Sequence, residues 1–422
     1  MGSVIAVPAP FDVTTQGRPH GLRGTLGRAL QAVVPDLDQR VYTRARSRER
    51  KQRLSSPEFA GLYEHAGSLK GLATGDPVIV VVPPEGPSHG NWEPAQWNIY
   101  YEAYQRLKET HGDHQVLSFF VEPGEAVSKW QRRLIDFLAD QRATHLLTHV
   151  EKDPESESGE WAWDTFWEAA SRFWGGVFLG GMFDSSYRFT EAKAKVMAQL
   201  SPNFVLVDIC MPMDGSLRAR RPEVGPVNIP MSEQTLTLVD ECIAGQTKEF
   251  DISFIGVLYD YRVELVDRLR SLGLNVAVNP HRQDDPRDAD ATRRSQPSWL
   301  DYMRGLASSR STINFSRSNA GPFEQLKTRV VEVGLAGSYL FTDDRDRTRR
   351  FWDEQTFSMF DSPDQLAQLA QEVLTDTDEV IARTDNFRER ARYLARHHYW
   401  GEIEAVLRAR GLPSLGIEPF SS

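Results

Sequence analysis

The chain has few of the features that would mark it as a secreted scaffold, a membrane protein or a broad nucleic-acid binder. Cysteine occurs only at Cys210 and Cys242, too few for a disulfide framework or a cysteine metal cluster, and two reduced thiols are expected. No run of about eighteen apolar residues is present, so no membrane span is expected. Val4-Ile-Ala-Val7 is too short for a signal-peptide core. Ala6 stands where a myristoylation signal would carry Ser or Thr, so a cytoplasmic location is expected. Excess positive charge is missing too. A formal net charge of -10 makes a nucleic-acid footprint unexpected. One local exception runs from Arg40 to Arg53 and reads as a solvated helical face, the competing reading being a patch for an anionic acceptor or partner.

What is present is an ordinary globular composition, 40% hydrophobic and 26% charged, over 422 residues. That length exceeds what one core usually supports, so two domains are expected. Apolar strand-like runs alternate with helical segments from Pro77-Val-Ile-Val-Val-Val-Pro83 to Phe204-Val-Leu-Val-Asp208. The pattern breaks near Pro230 to Phe250, and a second series starts at Ile252-Ser-Phe-Ile-Gly256. Strands alternating with helices at this spacing predict an α/β fold of two doubly wound, Rossmann-like domains. Residues 1–75 are expected to form an appendage of the first domain, residues 76–245 that domain, and residues 246–398 the second. Segments 378–395 and 400–410 read as separate helices, and residues 399–411 are expected to pack back on the first domain. Residues 280–298 are almost wholly polar and read as a long exposed loop. Trp97, Tyr100, Tyr101 and Tyr104 share one helical face, and Trp163, Trp167 and Trp174 nearly do; both groups are expected in the core or in domain packing.

The most informative stretch runs from Pro322 to Asp343. Glu324 and Glu332 have seven residues between them, with Lys327 and Arg329 in that interval and Gly337 before a short apolar strand. If Glu324 lies at the start of a helix, both carboxylates can face one cleft. Carboxylates accept hydrogen bonds from sugar hydroxyls, and a helix N-terminus with nearby cations holds a diphosphate, which is the chemistry of a nucleotide-sugar site. Lys327 and Arg329, two residues apart, cannot point the same way. Gly256 ends an apolar strand before a helix, where open N–H groups suit a phosphate, although a plain turn explains it equally well. Arg262 in the following helix either clamps a diphosphate or pairs at the surface with Glu264 or Asp260.

The stretch resembles the E-x7-E signature of retaining GT-B glycosyltransferases. Blocks at 251–262, 313–317, 326–332, 359–366 and 395–400 resemble more particularly the CgeB-like glycosyltransferases. The resemblance implies a GT-B fold with two Rossmann-like domains about a central cleft. The donor would be a nucleotide sugar, UDP- or GDP-linked, bound by the second domain, and the acceptor a glycan, protein or small molecule. Glu324 would contact the donor sugar and Glu332 the ribose hydroxyls. Lys327, with Arg329 as the lesser choice, would join Arg262 and Gly256 at the phosphates, and Glu324, Lys327 and Arg262 would act on the group in transfer. Ends of parallel strands face the crevice in such folds, which puts Asp184, Ser185 and His89 on the acceptor side. Asp184 as a helix cap and His89 as an exposed loop residue are the competing readings. No cofactor and no metal are expected: Asp344-Arg-Asp346 comes after a complete second series, and Asp288-Ala-Asp290 sits in a polar loop without a strand. An epimerase on the same fold and a non-catalytic sugar-nucleotide binder are the alternatives.

Overall fold

A computed structural model of the chain describes residues 37–110, 115–156, 162–183, 188–209, 221–256, 258, 260–280, 298–316, 326–343, 348–375 and 377–421. The first sheet contains β1 (Val78–Val82), β2 (Gln115–Ser118), β3 (His145–His149), β4 (Val177–Met182) and β5 (Phe204–Asp208) in the order β2-β1-β3-β4-β5. The second contains β6 (Phe250–Phe254), β7 (Val276–Val278), β8 (Ser309–Asn314), β9 (Tyr339–Thr342) and β10 (Ser358–Met359) in the order β10-β9-β8-β6-β7. All pairings within both sheets are parallel. Each sheet, counted from its own first strand, therefore runs 2-1-3-4-5, a doubly wound order whose crevice opens at the carboxyl ends of its first and third strands. The two Rossmann-like α/β units expected from the sequence are both present.

Helices cover both faces of each sheet, which is why the strands read as continuous apolar runs. Val78, Val80 and Val82 of β1 join Trp130, Trp163 and Phe166 on one face. Those aromatics belong to α4 (Val127–Asp140) and α5 (Ala162–Ala170). Ile79 and Val81 point the other way, towards Tyr100 of α3 (Ile99–Thr110) and Trp400, Ile403 and Leu407 of the last helix. In the second unit, Phe254, Ile313 and Phe341 pack with α8 (Asp260–Ser271) and α11 (Pro363–Thr375). The opposite face takes α9 (Trp299–Ala307), α10 (Arg329–Leu335) and residues 387–395 of the last helix.

Several expectations are corrected. The two C-terminal helices are one, α12 (Thr377–Ala409), unbroken because residues 396–399 are all helix-compatible. It ties the units together. Arg392 pairs with Asp240 at 2.7 Å, Arg396 with Glu233 at 2.7 Å, and the Trp400 Nε1–H donates to the Ala103 carbonyl at 2.9 Å. Where the pattern breaks near Pro230, the chain forms α7 (Glu233–Ile243), capped by Ser232, whose Oγ accepts from the Thr235 N–H. The basic segment is helical, α1 (Leu37–Leu54), yet Arg50 is buried and paired with Asp164 and Glu168 of α5, so it docks the helix. Trp163, Trp167 and Trp174 are core, as are Tyr100 and Tyr101, but Trp97 precedes α3 and is 55% exposed. Among the described residues no helix is long and apolar enough to cross a membrane.

Candidate functional site

The crevice of the second sheet is built around Gly256. Its φ of +138° suits a residue without Cβ, so the chain turns there as no other residue would allow. Asn279, just after β7, fixes the turn with its side-chain amide: the Gly256 N–H donates to Oδ1 at 2.7 Å, and Nδ2–H donates to the Gly256 carbonyl at 3.2 Å. Asn279 itself sits at a φ of +48°, a conformation asparagine tolerates better than most residues.

Two guanidinium groups converge on this turn. Arg262 is buried, its Cζ lying 5.3 Å from the Phe254 ring centroid and 5.1 Å from that of Phe315, so it does not stand on the surface. Arg329 lies 5.6 Å from the same Phe254 ring. Its buried Nε–H has no hydrogen-bond partner among the described residues. Two guanidinium groups at one aromatic ring, at the carboxyl end of β6, are of a type that holds a dianionic group with bidentate hydrogen bonds. Lys327 is partly buried and lies two residues before α10. Of the two cations between the glutamates, the contacts put Arg329 beside Gly256.

Glu332 lies one turn into α10 and is 2% exposed, so it is not a solvated surface carboxylate. Trp299 Nε1–H donates to its Oε1 at 3.1 Å and Tyr302 Oη–H to its Oε2 at 2.8 Å. Burial raises the Glu332 pKa, opposed by these two donors and by the positive charge of Arg329. Glu324 lies outside the described residues, and the helix that carries Glu332 begins only at Arg329. The partners Trp299 and Tyr302 are three apart on one face of α9, a spacing visible in the sequence, but nothing local ties that face to a glutamate thirty residues later.

Glu332 also faces a cavity of about 140 Å³ between the units, with Trp97, Asn98, Phe183, Met231 and Trp299 among its walls. Glu102 of α3 also lines it. It accepts from the Ser232 N–H at 2.7 Å and the Thr235 hydroxyl at 2.6 Å, and burial raises its pKa.

On the first sheet, His89 is exposed and its Nε2 lies 2.8 Å from Glu155 Oε2, a contact that raises its pKa. Asp184 and Ser185 lie outside the described residues. The sequence reading missed a buried pair at the end of β3: Tyr100 Oη lies 2.8 Å from His149 Nδ1. Burial, then the charges of Lys152 and Lys193, lower the His149 pKa to about 3 and keep the ring neutral. Beside it, the Phe183 N–H donates to Glu151 Oε1 at 2.7 Å. Asp288, Asp290, Asp344 and Asp346 lie outside the described residues, among which no cluster of metal-ligating side chains occurs.

Residues 262–408 match a family model described as glycosyl transferase-like. No curated protein matches the sequence. Among solved structures the chain is similar to sucrose-phosphate synthase from Thermosynechococcus elongatus, at 12% identity and a TM-score of 0.48, covering 76% of this chain and 95% of that one. It is also similar to AviGT4, a glycosyltransferase involved in avilamycin A biosynthesis, at 14% identity and a TM-score of 0.44, covering 79% and 98%. A UDP-N-acetylglucosamine 2-epimerase aligns at 12% identity and a TM-score of 0.44, covering 83% and 100%. Arg262, Arg329 and Glu332 all fall inside the span that matches this model, on the second of the two parallel α/β units.

Proposed function

We propose that the chain transfers a glycosyl group from a nucleoside-diphosphate sugar to an acceptor hydroxyl. The observation that carries this reading is the convergence on Phe254, beside Gly256, of Arg262 and Arg329, two arginines that lie within the span matching the glycosyl transferase-like model. As the glycosidic bond breaks, negative charge develops on the diphosphate, and two guanidiniums fixed beforehand stabilise it without reorganising. In this reading Glu332 accepts the ribose hydroxyls with the lone pairs that Trp299 and Tyr302 leave available, and Glu324 contacts the sugar. Lys327 supplies a further positive charge near the phosphates.

We infer a same-face displacement with retention, the course that the resemblance to retaining GT-B enzymes implies, in which the departing phosphate takes the acceptor hydroxyl's proton, and no metal takes part. The acceptor approaches from the first unit, where His89 lies in the loop that follows β1. Incubating the full chain with a panel of nucleotide sugars and acceptor glycosides tests the reading. Transfer that requires both substrates is expected, with the product anomer matching the donor. Donor turnover without any acceptor would instead indicate an epimerase, and no turnover alongside tight binding would indicate a binding protein.

A further inference from the structure

The chain passes between the two units twice, and the two crossings touch. One is the segment that leads from β5 to α7. The other is α12, which enters the second unit's core with Phe387, Ala391 and Leu394 and the first unit's core with Tyr399, Ile403 and Leu407. Its crossing is therefore at residues 396–398. There His398 Nδ1 accepts from the Asn228 N–H of the other crossing at 3.0 Å. Units joined in this way turn about a few residues of the connections, and the cavity left between them gives them room.

A third segment lies over this junction. After α12 the chain reverses, and Leu415 and Ile417 bury their side chains in the first unit's core. The Leu415 N–H donates to Glu404 Oε2 at 2.7 Å, and Arg408 donates to the Ile417 carbonyl at 2.8 Å, which fixes this stretch to the first-unit end of the helix. Phe420 then reaches back over the crossing and packs against the second unit's core. Its ring lies 4.5 Å from that of His398 and 6.1 Å from that of Tyr393, with the Arg390 Cζ 5.9 Å away. Its backbone occupies the space beside Gly401, where an added Cβ would stand 2.7 Å from the Phe420 nitrogen. Glycine inside a helix is less stable than alanine, and here it makes room for the tail. Among the described residues no hydrogen bond holds residues 418–420, so packing alone seats the tip.

We propose that residues 413–420 are a releasable splint on the hinge. Anchored on the first unit, the tail clamps α12 at its crossing through Phe420, and the units turn against each other only when Phe420 leaves its seat. The stretch that must hold is hydrogen-bonded, with Leu415 and Ile417 buried, whereas the tip that must release is half-buried. Local opening of this kind draws on the least hydrogen-bonded part of a fold. The device is independent of what the cleft binds.

The test is the distance between spin labels at Lys129→Cys and Gln371→Cys, exposed positions on the first and second units, in the full chain carrying Cys210→Ser and Cys242→Ser. A single narrow distribution is expected while Phe420 is in place. Phe420→Ala should broaden it or add a second distance. Amides of residues 396–402 should then exchange at least about tenfold faster, while those of β3 and β8 keep their rates. Gly401→Ala should act in the same direction, although alanine is the better helix former, because its Cβ displaces the tail. Phe420→Leu should retain most of the original distribution. Distances and exchange rates unchanged in Phe420→Ala, or a Gly401→Ala chain that behaves as the wild type does, overturn the proposal. Faster exchange throughout both sheets also overturns it, since Phe420 would then be an ordinary core residue.

Discussion

The Arg329 guanidinium packs so closely on Gly256 that a Cβ added to the glycine would lie 3.1 Å from its Nη2. Gly256→Ala should therefore act twice. Its φ of +138° is strained for any residue with a Cβ, at a cost of ~1–3 kcal/mol in stability. The new methyl group would also crowd the Arg329 guanidinium, which in the proposed reading contacts the phosphates. Denaturant unfolding should show the stability loss, and titration of the still-folded variant should show at least about tenfold weaker nucleoside diphosphate binding. Unchanged affinity would mean that Arg329 does not contact the ligand.

Glu332 and Glu324 should separate in binding. Glu332→Ala removes a carboxylate that two buried donors already address, and loss of one charge-assisted hydrogen bond to ribose, ~1.5–3 kcal/mol, weakens diphosphate and intact donor alike by roughly ten- to hundredfold. Glu324→Ala should spare nucleoside diphosphate binding while depressing turnover. Tyr302→Phe is the intermediate case, because it leaves Glu332 with one donor fewer and should cost ~1–3 kcal/mol of stability. Calorimetry and unfolding curves on the three variants check the set.

Acid should destabilise the first unit through His149. Its pKa is about 3 in the folded chain against 6.5 for an ordinary histidine, because burial disfavours the charged ring. On acidification the unfolded chain takes up the proton first. The neutral ring's contribution is thus complete above pH 6.5 and lost progressively towards pH 3, at about 1.4 kcal/mol per pH unit. His149→Gln cannot titrate, so the stability difference between it and the wild type should narrow or reverse as the pH falls from 7 to 4. A difference constant over that range would show that His149 is not buried neutral.

Transfer should survive chelation. If fixed guanidiniums stabilise the leaving group, EDTA leaves the rate within about twofold, whereas Arg262→Ala or Arg329→Ala lowers it by two or more orders of magnitude. Loss of activity to EDTA, restored by Mn²⁺, would show that a metal replaces them.

The strands were the most legible part of the sequence. Val78–Val82 reads as a buried parallel strand because helices cover both its faces, and the second series starts where Ile252-Ser-Phe-Ile-Gly256 predicts. Gly256, Arg262, Arg329 and Glu332 could be chosen because each falls at a strand end or in a nearby helix. Their mutual contacts could not, since Phe254, the ring between the two arginines, reads only as a strand residue. Trp97 was misplaced because its spacing from Tyr100, Tyr101 and Tyr104 imitates a helical face, whereas α3 begins two residues later, at Ile99. The partners of Glu332 and the pairing of His149 with Tyr100 depend on tertiary packing that brings distant segments together.

Titration of the full chain with a nucleoside diphosphate, comparing the wild type with Arg262→Ala, Arg329→Ala and His89→Ala, tests most directly whether the donor sits at the second sheet's crevice. Each arginine variant should bind at least about tenfold more weakly, one charge-assisted contact being worth ~1.5–3 kcal/mol. His89→Ala, on the first sheet, should bind as the wild type does. Full affinity in both arginine variants, with binding lost in His89→Ala, would contradict the assignment and move the nucleotide to the first unit.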